Sequence, residues 1–401
     1  MPKKIYQHNL SKNFIDKNVI SILKKLTKAG FEAYLVGGAV RDALLNIQPK
    51  DFDIATNAHP EQVRKLFRNS RIIGKRFKIV HIYFGRYEII EVATFRASGE
   101  NAHTTNQGLI VRDNVYGTME QDAMRRDFTI NSLYYDYQQN CIVDFHNGMQ
   151  AIKNRQVILV GDALKRYQED PVRMLRAIRF SAKLQFSIES NTKKPIKEMA
   201  ELLNNIPVAR LYEEYLKLFH FGYGLATFKL LRQFHLFHFL FPKLSERLNK
   251  SPKDLMIIET ALQDTDSRIK NSMSVNPAYL YAVFLWADFN SSATNNCKNM
   301  PFLLCLNKLA YKVLQQQRKS ISIPKYLAKF IQEVWTLQYS MQNMHGKNPF
   351  KLLKMAKFRG AYDFLCLRYR SGEVELQETV QFWTEFQTAD SERRNEMAQL
   401  N

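Results

Sequence analysis

Cysteine is sparse in this chain. The four present, Cys141, Cys297, Cys305 and Cys366, show no CxxC spacing, which suggests neither a disulfide framework nor a zinc site. Long hydrophobic runs are missing too. The longest, "AYLYAVFLWA" and "FHLFHFLF", are too short to span a bilayer, and the N-terminal "MPKKIYQHNLSKNF" lacks the apolar stretch of a signal peptide. No basic helix carries a dedicated apolar face for a membrane surface. A cytoplasmic, reducing setting is expected, without membrane insertion. Acid is the scarcest commodity relative to its opposite. The 38 Asp and Glu stand against 58 Lys and Arg, a net charge of +20. Such an excess favours a polyanion, of which nucleic acid is the commonest, over a merely soluble basic surface.

What is present is ample for folding. The chain has 401 residues, 45% of them hydrophobic and 12% aromatic, enough for two to four packed units. Strand patterns crowd the first part: "FEAYLVG", "DFDIAT", "FKIVHIYFG", "YEIIEVATF", "INSLYYDY" and "CIVDF". Helix patterns over 15–28 and in "AVRDALL" and "HPEQVRKLFRNS" are interspersed. Residues 97–112 are polar and read as a loop. From about residue 150 the pattern is helical, with breaks near Pro207, Pro242 and 288–299. The expectation is α+β: a mixed head followed by an all-helical remainder.

The stretch "VGGAVRDALLNIQPKDFDI" carries the first candidate chemistry. Gly37 and Gly38 end a strand and open a helix, where free backbone N–H groups favour phosphate. Asp51 and Asp53, at i and i+2 of a strand, would share one face. Two carboxylates on one face repel unless cations sit between them, and magnesium with a triphosphate supplies those cations. A third acidic group is expected from Glu91, in an apolar strand, or from Asp127. Arg125, Arg126 and Asp127 combine two phosphate or ribose donors with an acceptor, behind a helix capped at Thr118. In "RYQEDPVRMLRAIRF", Arg173, Arg176 and Arg179 form a basic stripe, and an Asp170–Arg173 pair matches the edge of a base. Lys347, Lys351, Lys354, Lys357 and Arg359, interleaved with Phe350 and Phe358, form either an RNA-tracking face or a solvated helix face. His235 and His238, at i and i+3 with no carboxylate nearby, read as core histidines.

"LVGGAVRD", "DFDIAT", "RRDFTIN" and "EDPVRMLRAIRF" together resemble the class II branch of the polymerase-β nucleotidyltransferase superfamily. That branch holds CCA-adding tRNA nucleotidyltransferases and bacterial poly(A) polymerases. "EIIEVATFR", "ARLYEEYLKLF", "GYGLATFKLLRQFHLFHFLFP" and later stretches resemble the poly(A) polymerases over nearly all of residues 15–388. No "HD" pair marks the phosphohydrolase domain of many CCA enzymes. The chain departs from close relatives in a shorter 97–112 loop and in lacking their long arginine-rich tail. The resemblance implies a polymerase-β-type nucleotidyltransferase head over 1–148, then a helical neck over 149–220, a body over 221–340 and an RNA-binding tail over 341–401. It implies that Asp51 and Asp53 bind magnesium, for which manganese can substitute, with Glu91 as third carboxylate and Asp127 beside Arg126 nearer the sugar. Gly37, Gly38 and Arg41 would contact triphosphate. Asp170 and Arg173 would read adenine, with Arg176 on phosphate. The implied activity is transfer of AMP from ATP to RNA 3′ ends, of mRNA, small RNAs and decay intermediates, alongside RNA-decay partners. A CCA-adding tRNA nucleotidyltransferase is the alternative.

Overall fold

The computed structural model describes residues 2–74, 78–85, 88–97, 103–104, 110–112, 115–296 and 301–399. The chain divides into two compact units, Met1–Met199 and Ala200–Asn401. That division falls inside the 149–220 segment.

The first unit is built on a sheet of eight strands. They are β1 (Lys3–Ile5), β2 (Ala33–Val36), β3 (Asp53–Thr56), β4 (Ser70–Ile73), β5 (Ile79–Phe84), β6 (Glu88–Thr94), β7 (Leu133–Asp136) and β8 (Cys141–Asp144), in the spatial order β1-β8-β7-β2-β3-β6-β5-β4. Every pairing is antiparallel except β3 with β6. Alternation decides which face each residue joins. Ile54, Leu35, Val80, Ile82, Ile90 and Val92 bury one face, while Ala55, Val36 and Tyr134 belong to a separate cluster with Phe95 and Ala123. Helix α1 (Lys17–Lys28) covers the first face with Val19, Ile22, Leu23 and Leu26, the i, i+3, i+4, i+7 spacing of an amphipathic helix. Asp16 caps it by accepting from Asn18 N at 2.6 Å.

Six more helices place the polar groups: α2 (Gly38–Leu44), α3 (Pro60–Leu66), α4 (Met119–Arg125), α5 (Gly148–Lys153), α6 (Ala163–Glu169) and α7 (Val172–Leu184). The expected cap at Thr118 is there: its hydroxyl accepts from Gln121 N at 3.3 Å, and Gln121 Oε1 accepts from Thr118 N at 2.9 Å. Of the 97–112 loop, His103–Thr104 and Ile110–Arg112 pair antiparallel, and most of the remainder lies outside the described residues.

The second unit is helical throughout its described residues. Tyr215, Tyr281, Phe237, Phe241 and Phe284 form one ring cluster, with Tyr215 and Tyr281 centroids 4.2 Å apart. Four expectations need correction. Within the segment after 150 expected to be all-helical, Gln156–Val157 and Ser187–Ile188 pair as short parallel strands. The break near 288–299 is instead a helix, Trp286–Asn296, because Phe289 stacks on Trp335 at 4.4 Å and packing overrides weak propensity. His235 and His238 are exposed while Phe234, Leu236, Phe237 and Leu240 are buried; their i, i+3 spacing sets both histidines on the solvent side. Cys141 and Cys366 are free, but Cys305 is disulfide-bonded.

Candidate active site

The strand ends of the first unit bring the acidic groups together. Val36 pairs with Asp53 across β2 and β3, and Asp53 pairs with Glu91 across β3 and β6. Gly37 follows directly with φ 71°, a left-handed conformation that favours glycine. It turns the chain away and ends the ladder, so pairing starts at Asp53. Asp51 therefore lies just before the strand rather than on it, and both aspartates are exposed at its mouth. The glycines are also crowded by cations. A Cβ on Gly37 would stand 3.3 Å from Arg126 Nη1, and one on Gly38 would stand 3.5 Å from Arg41 Nη2.

Asp53 carries the electrostatic signature of the site. The protein around it strips away enough water, and Glu91 and Asp51 add enough like charge, to push its carboxyl up to about 6 despite the opposing pull of Arg126. A cation placed among these carboxylates would relieve that cost. Glu91 meets His81 Nε2 at 3.2 Å across β5. Among the described residues no three His, Cys, Asp or Glu side chains form a ready-made cage for an ion. The donor set fits a small hard divalent cation held by one or two carboxylates and completed by substrate oxygens.

A second acidic group behaves oppositely. Asp122, buried on α4, accepts from Arg125 Nη2 at 2.7 Å, Arg126 Nε at 3.2 Å and the Tyr134 hydroxyl at 2.6 Å. Burial would raise its carboxyl, but the two guanidiniums hold it down to about 2. Asp127 accepts from Phe128 N at 2.8 Å, Asn131 Nδ2 at 3.1 Å and Arg176 Nε at 2.7 Å. Burial is again overcome, chiefly by Arg176, and this carboxyl also sits at about 2.

Asn131 is the hub that sequence reading passed over. Its Oδ1 accepts from Arg41 Nη1 at 2.5 Å, its Nδ2 donates to Asp127, and its carbonyl accepts from Arg126 Nη1 at 3.4 Å. Arg41 is buried, donates also to Asp42 from Nε at 2.8 Å, and lies 5.1 Å from the Phe180 ring. Lys183 Nζ donates to the same Asp42 at 3.0 Å. Helix α7 is thus tied to the segment after α4 and to α2 by two ion pairs, Arg176–Asp127 and Lys183–Asp42.

The base-reading candidates lie where α6 meets α7. Asp170 Oδ1 accepts from Val172 N at 3.2 Å, capping α7. Arg173 Nη1 donates to the Arg166 carbonyl at 2.7 Å and to Glu169 Oε2 at 3.0 Å. Arg166 reaches the Arg125 and Arg126 carbonyls at 2.8 and 2.7 Å. Arg173, Arg176 and Arg179 are all half-buried, so the stripe faces protein structure as much as solvent. Asp122 was legible as the i−3 and i−4 partner of Arg125 and Arg126. Arg166 and Glu169 gave no comparable signal.

The chain is similar to known proteins over most of its length. Residues 33–158 match the "Poly A polymerase head domain", 185–248 the "Probable RNA and SrmB- binding site of polymerase A", and 298–401 the "Polymerase A arginine-rich C-terminus". Poly(A) polymerase I of Escherichia coli O157:H7 is 46% identical, covering 96% of this chain and 85% of that protein. Its counterpart from Haemophilus influenzae is 42% identical, covering 99% and 90%.

The chain belongs to the bacterial poly(A) polymerase family.

A CCA-adding enzyme from Lactobacillus helveticus is 42% identical but covers only 49% of the chain. The Bacillus stearothermophilus CCA-adding enzyme in complex with CTP has the same fold, with TM-score 0.62 at 24% identity over 92% of this chain and 81% of that one. In the second unit, Lys347, Lys351, Lys354 and Arg359 are exposed, but they span two helices, Asn348–Leu353 and Phe358–Arg370. Phe350 and Phe358 pack into the core there, so they are not stacking platforms. Arg359 pairs with Asp363 at 3.0 Å.

Proposed function

We propose that this chain is a polynucleotide adenylyltransferase that extends RNA 3′ ends without a template, transferring AMP from ATP and releasing pyrophosphate. Family membership supports the reading, and one observation carries it in the molecule: Asp53, beside Asp51 and Glu91 at the strand mouth, holds a carboxyl that desolvation first, and then the like charge of Glu91 and Asp51, push up to about 6 against the pull of Arg126. Asp51 and Asp53 would hold divalent metal, magnesium by its oxygen-donor chemistry, with manganese as substitute. Bound there, it would supply Lewis-acid polarisation and neutralise triphosphate charge.

The chain's own residues bind and align. Gly37 and Gly38 let backbone N–H groups approach the triphosphate, with Arg126 and Arg41 adjoining. Glu91 is the third carboxylate at the mouth. Asp127, engaged by Arg176 and Asn131, holds α7 in place instead of contacting metal. Asp170 and Arg173 then present an acceptor and a donor to the adenine edge. The RNA 3′-oxygen attacks the α-phosphorus as the bond to pyrophosphate breaks, and alignment with charge stabilisation is the main demand. Lys347, Lys351, Lys354, Lys357 and Arg359 would hold RNA phosphates. RNA-decay proteins are the expected partners. No helix among the described residues is long and apolar enough to cross a membrane, and the reading places the enzyme in the cytoplasm.

Purified protein with a generic 3′-hydroxyl RNA, magnesium and each nucleoside triphosphate separately tests this. Long homopolymeric A tails and poor use of CTP are expected. A product confined to C-C-A on tRNA would assign the chain to the CCA-adding alternative.

A further inference from the structure

The second unit contains a cavity of about 550 Å³, within the size range that accepts a nucleotide. Helices Pro252–Lys270, Pro277–Phe284, Lys325–Ser340 and Phe358–Arg370 contribute its walls. Two of its lining side chains are rings, Phe330 and Tyr279, both half-buried. Phe330 lies so close to the last helix that a Cβ on Gly360 would stand 3.0 Å from its Cζ. Glycine at that position is what admits the ring. Lys357 Nζ lies 5.6 Å from the same ring's centroid, which sets a cation from the basic 347–359 stretch beside it.

Most of the charge in the wall comes as pairs; the further cation, Arg268, donates from Nη2 to the Ser274 carbonyl at 3.2 Å. Arg370 Nη2 donates to Asp264 Oδ2 at 2.5 Å, and Arg359 Nε meets Asp363 Oδ1 at 3.0 Å. A carboxylate has about four lone-pair positions, so each aspartate retains acceptor capacity after one arginine. Acceptors beside an aromatic face, with a cation near the ring, suit a base that carries an exocyclic amine and a following phosphate. Adenine offers that amine and a large stacking face. Uracil offers a carbonyl at the same edge, which a carboxylate repels.

We propose that this cavity is a subsite for one adenine nucleotide of single-stranded RNA, its base against Phe330 and its amine donating to Asp264 or Asp363. The proposal rests on the polyadenylation reading only for the natural source of such RNA, the tail that the enzyme makes. It gives the second unit a means of preferring adenylate tracts, beyond the general attraction of its lysines.

The test uses the full chain and fluorescein-labelled hexamers of adenylate and uridylate, followed by fluorescence anisotropy. The adenylate hexamer should bind more tightly than the uridylate one. Phe330→Leu keeps an apolar wall but removes the ring face, and should weaken adenylate binding roughly tenfold, the scale of one lost base stack. Asp264→Asn, at a partly exposed ion pair, should narrow the preference for adenylate and leaves the core untouched. Equal binding of the two hexamers by the unaltered protein, or unchanged adenylate affinity in both variants, would overturn the proposal. Single AMP addition to saturating primer is measured alongside. Its absence in the unaltered protein would defeat the polyadenylation reading, whereas normal addition with unchanged hexamer binding would defeat the cavity proposal alone.

Discussion

Two groups of carboxylates lie in the first unit, and their chemistry is opposite. Asp53, with Asp51 and Glu91, sits at open strand ends, and its carboxyl is pushed up to about 6. Asp122, held by two guanidinium groups, and Asp127, held by that of Arg176 and by Asn131, lie deeper, and both sit at about 2. Both groups experience desolvation; what separates them is the sign of the nearest charge. A carboxylate already satisfied by arginine has no need of metal. One left among its own kind does. The difference supports the proposal that the mouth is the chemical centre and that the deeper pair frames α7 and its candidate base-reading end.

The sharpest way to break this contrast is to neutralise one member of each group. Asp53→Asn should lower nucleotide addition by about a thousandfold or more, since several kcal/mol of charge stabilisation depend on its partners. Its melting temperature should hold or rise, because like-charge repulsion is relieved. Retention of more than a few per cent of activity, in a primer-extension assay, would remove Asp53 from the centre.

Asp127→Asn should do the reverse, with the larger damage in stability. Leaving Arg176 half-buried without its carboxylate should cost about 3–5 kcal/mol, read as a fall in thermal and urea midpoints. pH separates the groups further. Asp53 has a folded pKa above its unfolded value near 4, so the folded state binds more protons and stability falls as pH rises from about 4 to about 6. Asn at 53 should abolish that fall. Asp122 and Asp127 have folded values below the unfolded one, so their contribution is present above about 4 and is lost as pH falls toward about 2. Melting curves across both windows would expose either sign as wrong.

Much of this arrangement was legible in the chain. The glycine pair, the DxD and "RRD" motifs and the helix caps have local causes, so their residues stand close to where pattern reasoning put them. The misses are non-local. Nothing near Asp51 announces that the ladder ends at Asp53; that follows from Gly37 turning away on a different strand. Asn131 reads as a polar interruption in "FTINSLYY", and only the fold brings Arg41, from 90 residues away, onto its side chain. Phe350 and Phe358 looked like bases' neighbours because aromatic side chains serve stacking and core packing equally well, and sequence alone does not say which face they take.

Arg173 tests whether a residue of the paired frame also touches substrate. It is held by Glu169 and the Arg166 carbonyl, a placement that points its helix end as much as its charge. Loss of one charged hydrogen bond to the base is worth about 1.5–3 kcal/mol, roughly ten- to a hundredfold in efficiency. Arg173→Ala should therefore lower ATP use selectively and narrow its lead over the other nucleotides. An equal loss with all four would make Arg173 part of the frame only.

The smallest effect extends the contrast from anions to cations. Arg125, Arg126 and Arg176 are spent on carboxylates, whereas Lys351 and Lys354 are exposed and make no ion pair among the described residues. An unspent surface cation adds little to folding, so such residues are free to meet phosphate. Lys351→Glu combined with Lys354→Glu should leave the melting temperature nearly unchanged. It should weaken RNA binding roughly tenfold at about 0.1 M salt. The slope of log K against log salt should flatten by about 0.7 for each phosphate of single-stranded RNA that the variant no longer neutralises. The apparent affinity for ATP should not move, since these lysines belong to the second unit. An unaltered RNA dissociation constant with an unaltered salt slope would show that the two lysines are only a solvated helix face, and that the net charge of +20 meets RNA elsewhere.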